Sequence, residues 1–470
     1  MTNPPVASIV LAAGKGTRMK SDLPKCLHPV AGVPMVEMVA ETLKEGAGDR
    51  VILVVGHRGE LLEKALGKRF EIVWQGEQLG TGHAVVQARE TLADFDGDLV
   101  VAAGDTPLIT PATLEGLLAK HRETGASLTV ATAILDDPHG YGRIVRDQDG
   151  DLVAIVEQKD ADEGELAIRE VNAGLYVFRA SALWPALDGL KNENAQGEYY
   201  LTDAVKAIRS AGGKVVPLVG DDPNILLGVN DRTQLAAADA ILRRAVEARA
   251  WESGATIVDP ATTYVSPLAT LAAGCRIEPG SHVVGRCAIG ANAMIGPNSV
   301  IKNSSVGAGG TILMSHVDRA EIGDGVNIGP FANIRPHSEL GDGVRIGNFV
   351  EIKNAILAPG SKVNHLSYVG DAEIGARTNV GAGTITCNYD GFDKHRTVIG
   401  ADVFVGSNST LVAPISLGDG AMVAAGSVVT ENVNPGAAAF GRSRQENKEG
   451  WVHRWRAKRS STLKNGELGA

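Results

Sequence analysis

The chain has 470 residues, a formal net charge of −10 and 44% hydrophobic residues, which predicts a soluble globular protein of two or three domains. No apolar run is long enough to cross a bilayer, and the acidic balance disfavours non-specific binding to nucleic acid. We also expect a cytoplasmic location, because an export signal is missing and the cysteines show no disulfide or metal-ligand spacing. The four scattered cysteines are Cys26, Cys275, Cys287 and Cys387.

Alternating strand and helix patterns occupy the first half of the chain. The strand-like segments are residues 6–13, 51–55, 99–103 and 128–132, and the helical segments lie near 34–46, 82–93 and 111–124. This alternation predicts a doubly wound, Rossmann-like α/β domain over residues 1–230. In such sheets ligands bind outside the carboxyl ends of the strands, so the loops after the strands are the candidate sites.

The loop Gly14–Arg18 follows the first strand directly. Glycines let the backbone approach a phosphate, and Arg18 and Lys25 add two cations nearby. The spacing is neither the Rossmann Gly-x-Gly-x-x-Gly, since residue 19 is Met, nor a P-loop. A tight strand-to-helix turn with a purely structural role would use the same residues.

A second loop, Gly104-Asp105, follows another buried strand. A carboxylate at a strand end suits Mg²⁺, which prefers oxygen ligands, although a helix cap or Asx-turn before Pro107 explains the same residue. Polar loop residues farther along the chain are further candidates. Gln75 and Gly80–His83 would contact a base, Tyr141–Arg143, Glu157 and Val171–Gly174 would contact sugar hydroxyls, and Asn230, after a strand-like run 225–227, would supply an amide oxygen.

Residues 231–254 predict a helical linker, with Asp231 at its start and Ser253-Gly254 at its end. Beyond it, aliphatic residues recur every six positions between about 277 and 429. The three in-phase runs are Ile277, Val283, Ile289, Ile295, Ile301; Ile322, Ile328, Ile334, Leu340, Ile346, Ile352; and Ile399, Val405, Leu411, Leu417, Val423, Val429.

A period of six predicts a left-handed parallel β-helix of hexapeptide repeats over residues 255–452, rather than a β-sandwich with a chance period. We expect the glycines that follow these aliphatic residues, such as Gly323, Gly341 and Gly347, to supply the backbone angles of the corners. The phase breaks between Val380 and Ile399, which predicts a loop there. Residues 453–470 are basic and predict a flexible tail. In the alternative interpretation, this basic tail covers the phosphates of acetyl-CoA.

Several of these motifs resemble those of a known family. Leu11-Ala12-Ala13-Gly14-Lys15-Gly16-Thr17-Arg18-Met19, followed by Leu23-Pro24-Lys25, resembles the signature of sugar-phosphate nucleotidyltransferases. Segments 347–353, 365–375 and 379–391 in the repeat region extend the likeness. Over residues 6–451 the chain is similar to the bifunctional N-acetylglucosamine-1-phosphate uridylyltransferase / glucosamine-1-phosphate N-acetyltransferase family.

The resemblance implies that the α/β domain transfers uridylyl from UTP to N-acetylglucosamine 1-phosphate with Mg²⁺. It implies Arg18 and Lys25 as catalytic cations, and Asp105 and Asn230 as metal ligands. The implied nucleotide and sugar contacts are Leu11, Ala12, Ala13, Gly14, Lys25, Gln75, Gly80, Thr81, Ala103, Gly104, Asp105, Gly142, Glu157, Asn172 and Asn230.

For the β-helix the resemblance implies acetyl transfer from acetyl-CoA to glucosamine 1-phosphate, with His365 as the base. Histidine can accept a proton near neutral pH, although a solvated loop histidine is the commoner case. The implied sugar-phosphate contacts are Arg335, Lys353, Tyr368 and Asn379, and the implied acetyl-CoA contacts are Ala382, Asn388, Tyr389, Ser407, Ala425 and Arg442. The small hydroxyl residue usual before this arginine is replaced by Gly441. The resemblance also implies a homotrimer that supplies cell-wall and lipopolysaccharide precursors.

Two alternatives remain at this stage. One is a single-activity sugar-1-phosphate nucleotidyltransferase, such as an ADP-glucose pyrophosphorylase, whose β-helix only regulates or trimerises. The other makes the β-helix a trimerising scaffold or a zinc site like that of β-helical carbonic anhydrases. The spacing of His316, His337 and His365 is too irregular for that zinc pattern.

Overall fold

The computed structural model describes residues 4–14, 16–222, 224 and 228–466. Lys15, and the strand-like run predicted at 225–227, lie outside the described residues. The chain forms two compact units. The first runs to Ile289 and includes Ile301–Asn303, and the second contains Gly290–Val300 and continues from Ser304.

The first unit is built on a twisted sheet of mostly parallel strands. Its strands, together with the small hairpin β2–β3, are β1 Val6–Ala12, β2 Pro29–Val30, β3 Val33–Pro34, β4 Val51–Val55, β5 Glu71–Trp74, β6 Asp98–Ala103, β7 Leu128–Ile134, β8 Arg143–Arg146, β9 Leu152–Val156, β10 Glu170–Arg179 and β11 Val215–Val219. The order across the sheet is β11-β7-β10-β6-β1-β4-β5, with β8 and β9 attached beside β10. The predicted α/β fold is confirmed, but β10 runs antiparallel to both of its neighbours, so the sheet is mixed rather than parallel throughout.

Helices connect these strands. They are α1 Met35–Ala47, α2 Gly59–Leu66, α3 Thr81–Val86, α4 Pro111–Thr124, α5 Glu163–Leu166, α6 Ala180–Asp188, α7 Ala204–Ser210 and α8 Arg232–Glu252. The helices predicted near 34–46 and 111–124 are confirmed. The one predicted over 82–93 ends at Val86, and consecutive turns continue to Asp94. Strands β1, β4 and β6 are almost completely buried, and this explains their continuous apolar runs.

Helix α8 lies where the linker was predicted and packs on the first short strands beyond it. Asp231 caps it by accepting a hydrogen bond from Gln234 N at 2.9 Å. The Arg243 guanidinium stacks 4.1 Å from the Tyr264 ring centroid. These contacts lie within the first unit, so its compact boundary falls near Ile289 rather than at 254. The functional domain boundaries at 230, 254 and 452 remain predictions.

Beyond α8 the chain consists of short strands. They are β12 Thr256–Ile257, β13 Tyr264–Val265, β14 Thr270–Leu271, β15 Arg276–Ile277, β16 His282–Val284, β17 Ala288–Ile289, β18 Met294–Ile295, β19 Val300–Lys302, β20 Ser305–Val306, β21 Thr311–Ile312, β22 His316–Asp318, β23 Ala320–Ile322, β24 Asn327–Ile328, β25 Asn333–Ile334, β26 Ser338–Leu340, β27 Arg345–Asn348, β28 Glu351–Lys353, β29 Ile356–Leu357, β30 Lys362–His365, β31 Tyr368–Gly370, β32 Ala372–Ile374, β33 Asn379–Val380, β34 Ile385–Cys387, β35 Thr397–Ile399, β36 Phe404–Val405, β37 Thr410–Val412, β38 Ile415–Leu417, β39 Met422–Val423, β40 Val428–Val429 and β41 Ala438–Ala439.

In the second unit each strand pairs in parallel with the strand three places later, so three columns of strands wind together as a β-helix. Ile328 pairs with Ile346, and Ile334 pairs with Ile352. Every position of the three six-residue runs is buried, with no side chain more than 6% exposed. The predicted inward-facing core is therefore confirmed, and stacking of successive coils buries the apolar edge that one coil leaves open.

The role predicted for the glycines after the aliphatic residues is confirmed at Gly296 and Gly329, which have φ 107° and 104°, but it is wrong for other members of the set. Gly323, Gly341 and Gly347 do not adopt positive φ. A Cβ at Gly347 would instead overlap the backbone of Asn364 in the next coil, so glycine permits close approach between coils. Further left-handed positions in the β-helix are occupied by residues outside this set, including Asn354 at φ 46° and Asp371 at φ 48°.

The predicted loop between Val380 and Ile399 is confirmed, since residues 388–396 leave the coil after β34. Helix α9, Trp451–Gly466, covers the described part of the tail predicted to be flexible, and residues 467–470 lie outside the described residues. The Trp451 and Trp455 rings stack with centroids 6.1 Å apart, and the Arg459 guanidinium lies 5.3 Å from the Trp455 centroid. Contacts four residues apart stabilise an exposed helix. None of the helices in the described ranges is both long enough and apolar enough to cross a membrane.

Candidate active sites

A cavity of about 420 Å³ opens at the carboxyl ends of the strands in the first unit. Its walls come from the loops after β1, β5 and β6. Most of the predicted nucleotide contacts line it, namely Leu11, Ala13, Gly14, Lys25, Gln75, Gly80, Thr81, Ala103 and Asp105. Cys26, Gln78, Ala84 and Glu198 line it as well and were not predicted.

The predicted cations and metal ligands meet at one point of this cavity. The Lys25 ammonium forms a short ion pair with Asp105 Oδ2 and lies 3.1 Å from Asn230 Oδ1. Arg18 Nη2 donates to the same Asn230 oxygen at 2.8 Å. Burial lowers the pKa of Lys25, but the charge of Asp105, the hydrogen bond to Asp105 and the interaction with Cys26 together outweigh burial and raise the pKa above its ordinary value.

The backbone holds the Asp105 and Asn230 loops together. Val229 N donates to Asp105 O at 2.8 Å, and Asn230 N donates to Gln234 Oε1 at 2.7 Å. The Asp105 carboxylate does not cap α4, because Thr110 does so by accepting from Thr113 N. Since Asp105 and Asn230 direct their oxygens to one cationic group, they fit a hard divalent cation such as Mg²⁺.

The loop predicted to contact a base is held from two sides. Gln75 is buried, and its Nε2 donates to Gly80 O at 3.1 Å and lies 3.0 Å from His83 Nδ1. Thr81 Oγ1 accepts from Leu201 N at 3.0 Å. Gly80 has φ 111°, and a Cβ there would lie 2.6 Å from Tyr199 O, so this tight turn requires glycine.

The predicted sugar contacts lie around β8–β10. Asn172 N donates to Gly142 O at 2.8 Å, which places these two residues side by side. Glu157 Oε1 accepts from Thr202 Oγ1 at 3.1 Å, and burial raises the pKa of Glu157 despite that hydrogen bond. The Asn172 amide donates to Tyr176 Oη at 2.7 Å, and its oxygen accepts from Gly174 N at 3.1 Å.

A second cavity, of about 750 Å³, lies in the second unit beside His365. His365 Nδ1 is 2.8 Å from Asn348 Oδ1, and Asn348 pairs with His365 across β27 and β30. Gly329, Pro330, Arg345 and Asn364 also line this cavity. The imidazole is exposed, so its second nitrogen remains accessible.

The predicted sugar-phosphate residues form a second group on the next column of strands. Arg335 Nη1 pairs with Glu351 Oε1 at 2.8 Å, and the Asn388 amide lies 3.5 Å from Tyr368 Oη. Glu351 and Tyr368 are paired neighbours of β28 and β31, and Lys353 is at the end of β28. Asn379 belongs to a different column, in β33, where it pairs with Lys362.

Asn388 is anchored by Asp371, which forms hydrogen bonds with the amides of both Asn354 and Asn388. Burial raises the pKa of Asp371, but these hydrogen bonds and the charges of Lys353 and Lys394 together outweigh burial and hold the pKa below its usual value. Tyr389 begins a protruding hairpin in which its hydroxyl donates to Gly391 O at 2.6 Å.

Three of the predicted acetyl-CoA contacts stack at one corner of successive coils. Asn408 N donates to Ala382 O at 2.7 Å, and Gly426 N donates to Ser407 O at 2.8 Å, so Ala382, Ser407 and Ala425 follow one another. Arg442 is exposed and follows Gly441, which pairs with the backbone of Val428 at 3.0 Å.

Models of known protein families match segments of both units. Residues 8–207 match the MobA-like NTP transferase domain family. Residues 269–303 and 319–354 match the bacterial transferase hexapeptide family, and residues 396–431 match the hexapeptide repeat of succinyl-transferase.

The bifunctional protein GlmU of Caldanaerobacter subterraneus subsp. tengcongensis is 49% identical over 447 residues, which cover 95% of this chain and 97% of that protein. The GlmU proteins of Exiguobacterium sp. and Geobacillus thermodenitrificans are 48% and 49% identical over 95% and 97% of this chain, and 99% of each is covered. This chain belongs to the bifunctional GlmU family. The match spans both units, which excludes a single-activity nucleotidyltransferase with a merely regulatory β-helix. As a GlmU family member, the protein is a nucleotidyltransferase and an acetyltransferase.

Two further residues of these GlmU sites, both in the β-helix, were missed by sequence reasoning. Asn348 orients His365, and Asp371 anchors Asn388. Each pair is 17 positions apart, which is about one coil of the β-helix. The coil length is therefore the signal that relates such residues, since positions one coil apart become ladder neighbours.

Proposed function

We propose that this protein makes UDP-N-acetylglucosamine in two steps. The second unit transfers acetyl from acetyl-CoA to glucosamine 1-phosphate, and the first unit then transfers uridylyl from UTP to the N-acetylglucosamine 1-phosphate. The observation that carries the proposal is the presence of two chemically different sites in one GlmU-family chain. One concentrates cations around a carboxylate, and the other presents an oriented imidazole.

The first site suits a reaction between two anions. The attacking sugar phosphate is already ionised, so the step needs charge neutralisation more than a general base. Lys25 lines the cavity with Gly14, Arg18 shares the Asn230 oxygen with Lys25, and the two cations would reduce the repulsion between the phosphates. Glu157 would accept hydrogen bonds from sugar hydroxyls.

Mg²⁺ would be held by Asp105 and Asn230 and would supply further charge neutralisation at the triphosphate. The ammonium of Lys25 contacts both of these ligand residues. With Mg²⁺ held by these two residues, Lys25 would be free to contact a phosphate instead.

The second site suits proton removal from an amine. When Nδ1–H of His365 donates to Asn348 Oδ1, Nε2 carries the lone pair that accepts the proton of the substrate ammonium. The neutral amine attacks the thioester carbonyl, the C–S bond breaks, and CoA leaves as a thiolate that takes up the second proton lost by the nitrogen as the amide forms. Arg335, Lys353, Tyr368 and Asn379 would hold the sugar phosphate.

The remaining assignments rest on family membership. Acetyl-CoA would lie along the corner formed by Ala382, Ser407 and Ala425, with Asn388, Tyr389 and Arg442 as further contacts. We also infer a homotrimer, a cytoplasmic location, and supply of precursors for cell-wall synthesis.

Incubation of the purified protein with glucosamine 1-phosphate, acetyl-CoA, UTP and Mg²⁺ tests the proposal. We expect UDP-N-acetylglucosamine, CoA and pyrophosphate in equal amounts. Omission of UTP should leave N-acetylglucosamine 1-phosphate as the product. Failure to acetylate glucosamine 1-phosphate would contradict the assignment of the second site.

A further inference from the structure

A strip of polar side chains crosses the β-helix beside His365. Asn327, Arg345, Lys362 and Asn379 are direct ladder neighbours in β24, β27, β30 and β33. Paired positions of neighbouring strands point to the same side of a sheet, so the four side chains share one face. Asn327 and Arg345 also line the cavity that contains His365.

The two cations of this strip lack a counter-charge. Like charges at paired positions of a sheet destabilise it. Within the ranges the structure describes, neither Arg345 nor Lys362 forms an ion pair or a side-chain hydrogen bond, whereas Arg335 is paired with Glu351 at 2.8 Å.

The two aspartates that lie three residues before Asn327 and Arg345 in the chain already accept backbone hydrogen bonds. Asp324 Oδ1 accepts from Ala308 N at 2.7 Å, and Asp342 Oδ1 accepts from Asp324 N at 2.8 Å. A bound anion would therefore relieve the repulsion between Arg345 and Lys362 without competition from these carboxylates.

We propose that Arg345, with Lys362 beside it, binds a phosphate group of a substrate of acetyl transfer. This inference rests on the proposed function of the second site. The guanidinium group of arginine binds two phosphate oxygens at once. Lysine supplies the same charge but not this bidentate geometry.

The distance along the strands suits this role. Arg345 and Lys362 pair three residues before Asn348 and His365 on the same two strands, which is about 10 Å at the usual rise of a strand. An extended arginine side chain shortens that separation. The phosphate belongs either to glucosamine 1-phosphate or to acetyl-CoA, and both substrates must converge on His365.

The test compares Arg345→Gln and Arg345→Lys with the wild type in acetyl transfer. Arg377→Gln is the matched control, because Arg377 is another exposed β-helix arginine whose guanidinium is already paired with Asp402. We expect Arg345→Gln to raise the KM of one phosphate-bearing substrate about tenfold, Arg345→Lys to raise it less, and Arg377→Gln to leave it unchanged. Uridylyl transfer should be unaffected in all three variants, and an unchanged midpoint of urea denaturation would show that the β-helix still folds.

Acetyl-pantetheine, a donor without phosphates, distinguishes the two sources. If Arg345 contacts acetyl-CoA, its KM rises in the variant and the difference disappears with acetyl-pantetheine. If Arg345 contacts the sugar phosphate, the KM of glucosamine 1-phosphate rises with either donor. Unchanged KM values for both substrates in Arg345→Gln would overturn the inference while leaving the proposed function intact. A wild type that does not acetylate glucosamine 1-phosphate would overturn both.

Discussion

His365 Nδ1 lies 2.8 Å from Asn348 Oδ1, in the neighbouring coil of the β-helix. An amide oxygen can only accept a hydrogen bond, so this contact selects the tautomer that carries its proton on Nδ1. The opposite nitrogen then faces the cavity as an acceptor. Asn348 is thus a positioning residue for the base, and it acts without touching the substrate.

Asn348→Ala should lower kcat for acetyl transfer about tenfold or more, because the imidazole loses both its orientation and its preferred tautomer. Asn348→Asp retains an acceptor oxygen and should recover most of the rate. Steady-state kinetics of CoA release measures both variants. An Asn348→Ala enzyme with wild-type kcat would show that the hydrogen bond plays no part in the reaction.

Chelation should separate the two activities. EDTA is expected to stop uridylyl transfer, because it removes the cation proposed to lie between Asp105 and Asn230, and to leave acetyl transfer near its original rate. Added Mg²⁺ should restore pyrophosphate release. The control is Asp105→Asn, which should be poorly active even with excess Mg²⁺. Equal loss of both activities with EDTA would contradict a metal site confined to the first unit.

The buried His121 predicts a pH-dependent stability. Burial lowers the pKa of His121 to about 4, with Arg179 and Arg122 acting in the same direction and Asp98 opposing them. The folded protein keeps His121 neutral while the unfolded chain protonates it near its ordinary pKa of 6.5. Stability from this group is therefore present above pH 6.5 and is lost as the pH falls towards 4, by up to about 1.4 kcal/mol per pH unit.

His121→Gln should remove this contribution, since the amide does not titrate. We expect the thermal midpoint of the wild type to fall more steeply than that of the variant between about pH 7 and about pH 5. Differential scanning calorimetry measures both. Parallel pH profiles for the two proteins would show that His121 is not the group responsible.

Shortening a single side chain in the β-helix core should lower the free energy of unfolding. Ile352 is fully buried and stacks between Ile334 and Val369 in adjacent coils, so Ile352→Ala should cost roughly 2–5 kcal/mol by leaving a cavity. Ile356 is 42% exposed, and the same substitution there should cost far less. Urea denaturation of the two variants compares them directly, and equal losses would contradict the inward placement of the six-residue run.

Much of the fold follows from periodicity. The six-residue spacing identifies Ile346 and its equivalents as core residues because only one side chain per hexad can point inward. The antiparallel β10 is less accessible to this reasoning, since a buried apolar run looks the same in either direction. The function of Gly347 was mistaken because the constraint on it is the backbone of the next coil, which is a long-range contact.

The residues of the candidate sites were likewise only partly predictable from the sequence. The loop residues Asp105 and Lys25 follow from their places after buried strands, and the structure brings them into contact. To predict that Asn348 contacts His365, one must know the register between neighbouring coils. Corners of variable length make that register difficult to derive from the sequence. Local sequence therefore identifies the reactive groups, while the residues that orient them depend on three-dimensional packing.

Complementation between two inactive variants tests the central claim most directly. Asp105→Ala should retain acetyl transfer and lack uridylyl transfer, and His365→Ala should show the reverse. Neither variant alone should convert glucosamine 1-phosphate, acetyl-CoA and UTP to UDP-N-acetylglucosamine. A mixture of the two should do so, because the acetylated sugar phosphate released by one is used by the other. Loss of both activities in either folded variant, or no product from the mixture, would contradict two independent sites in one chain.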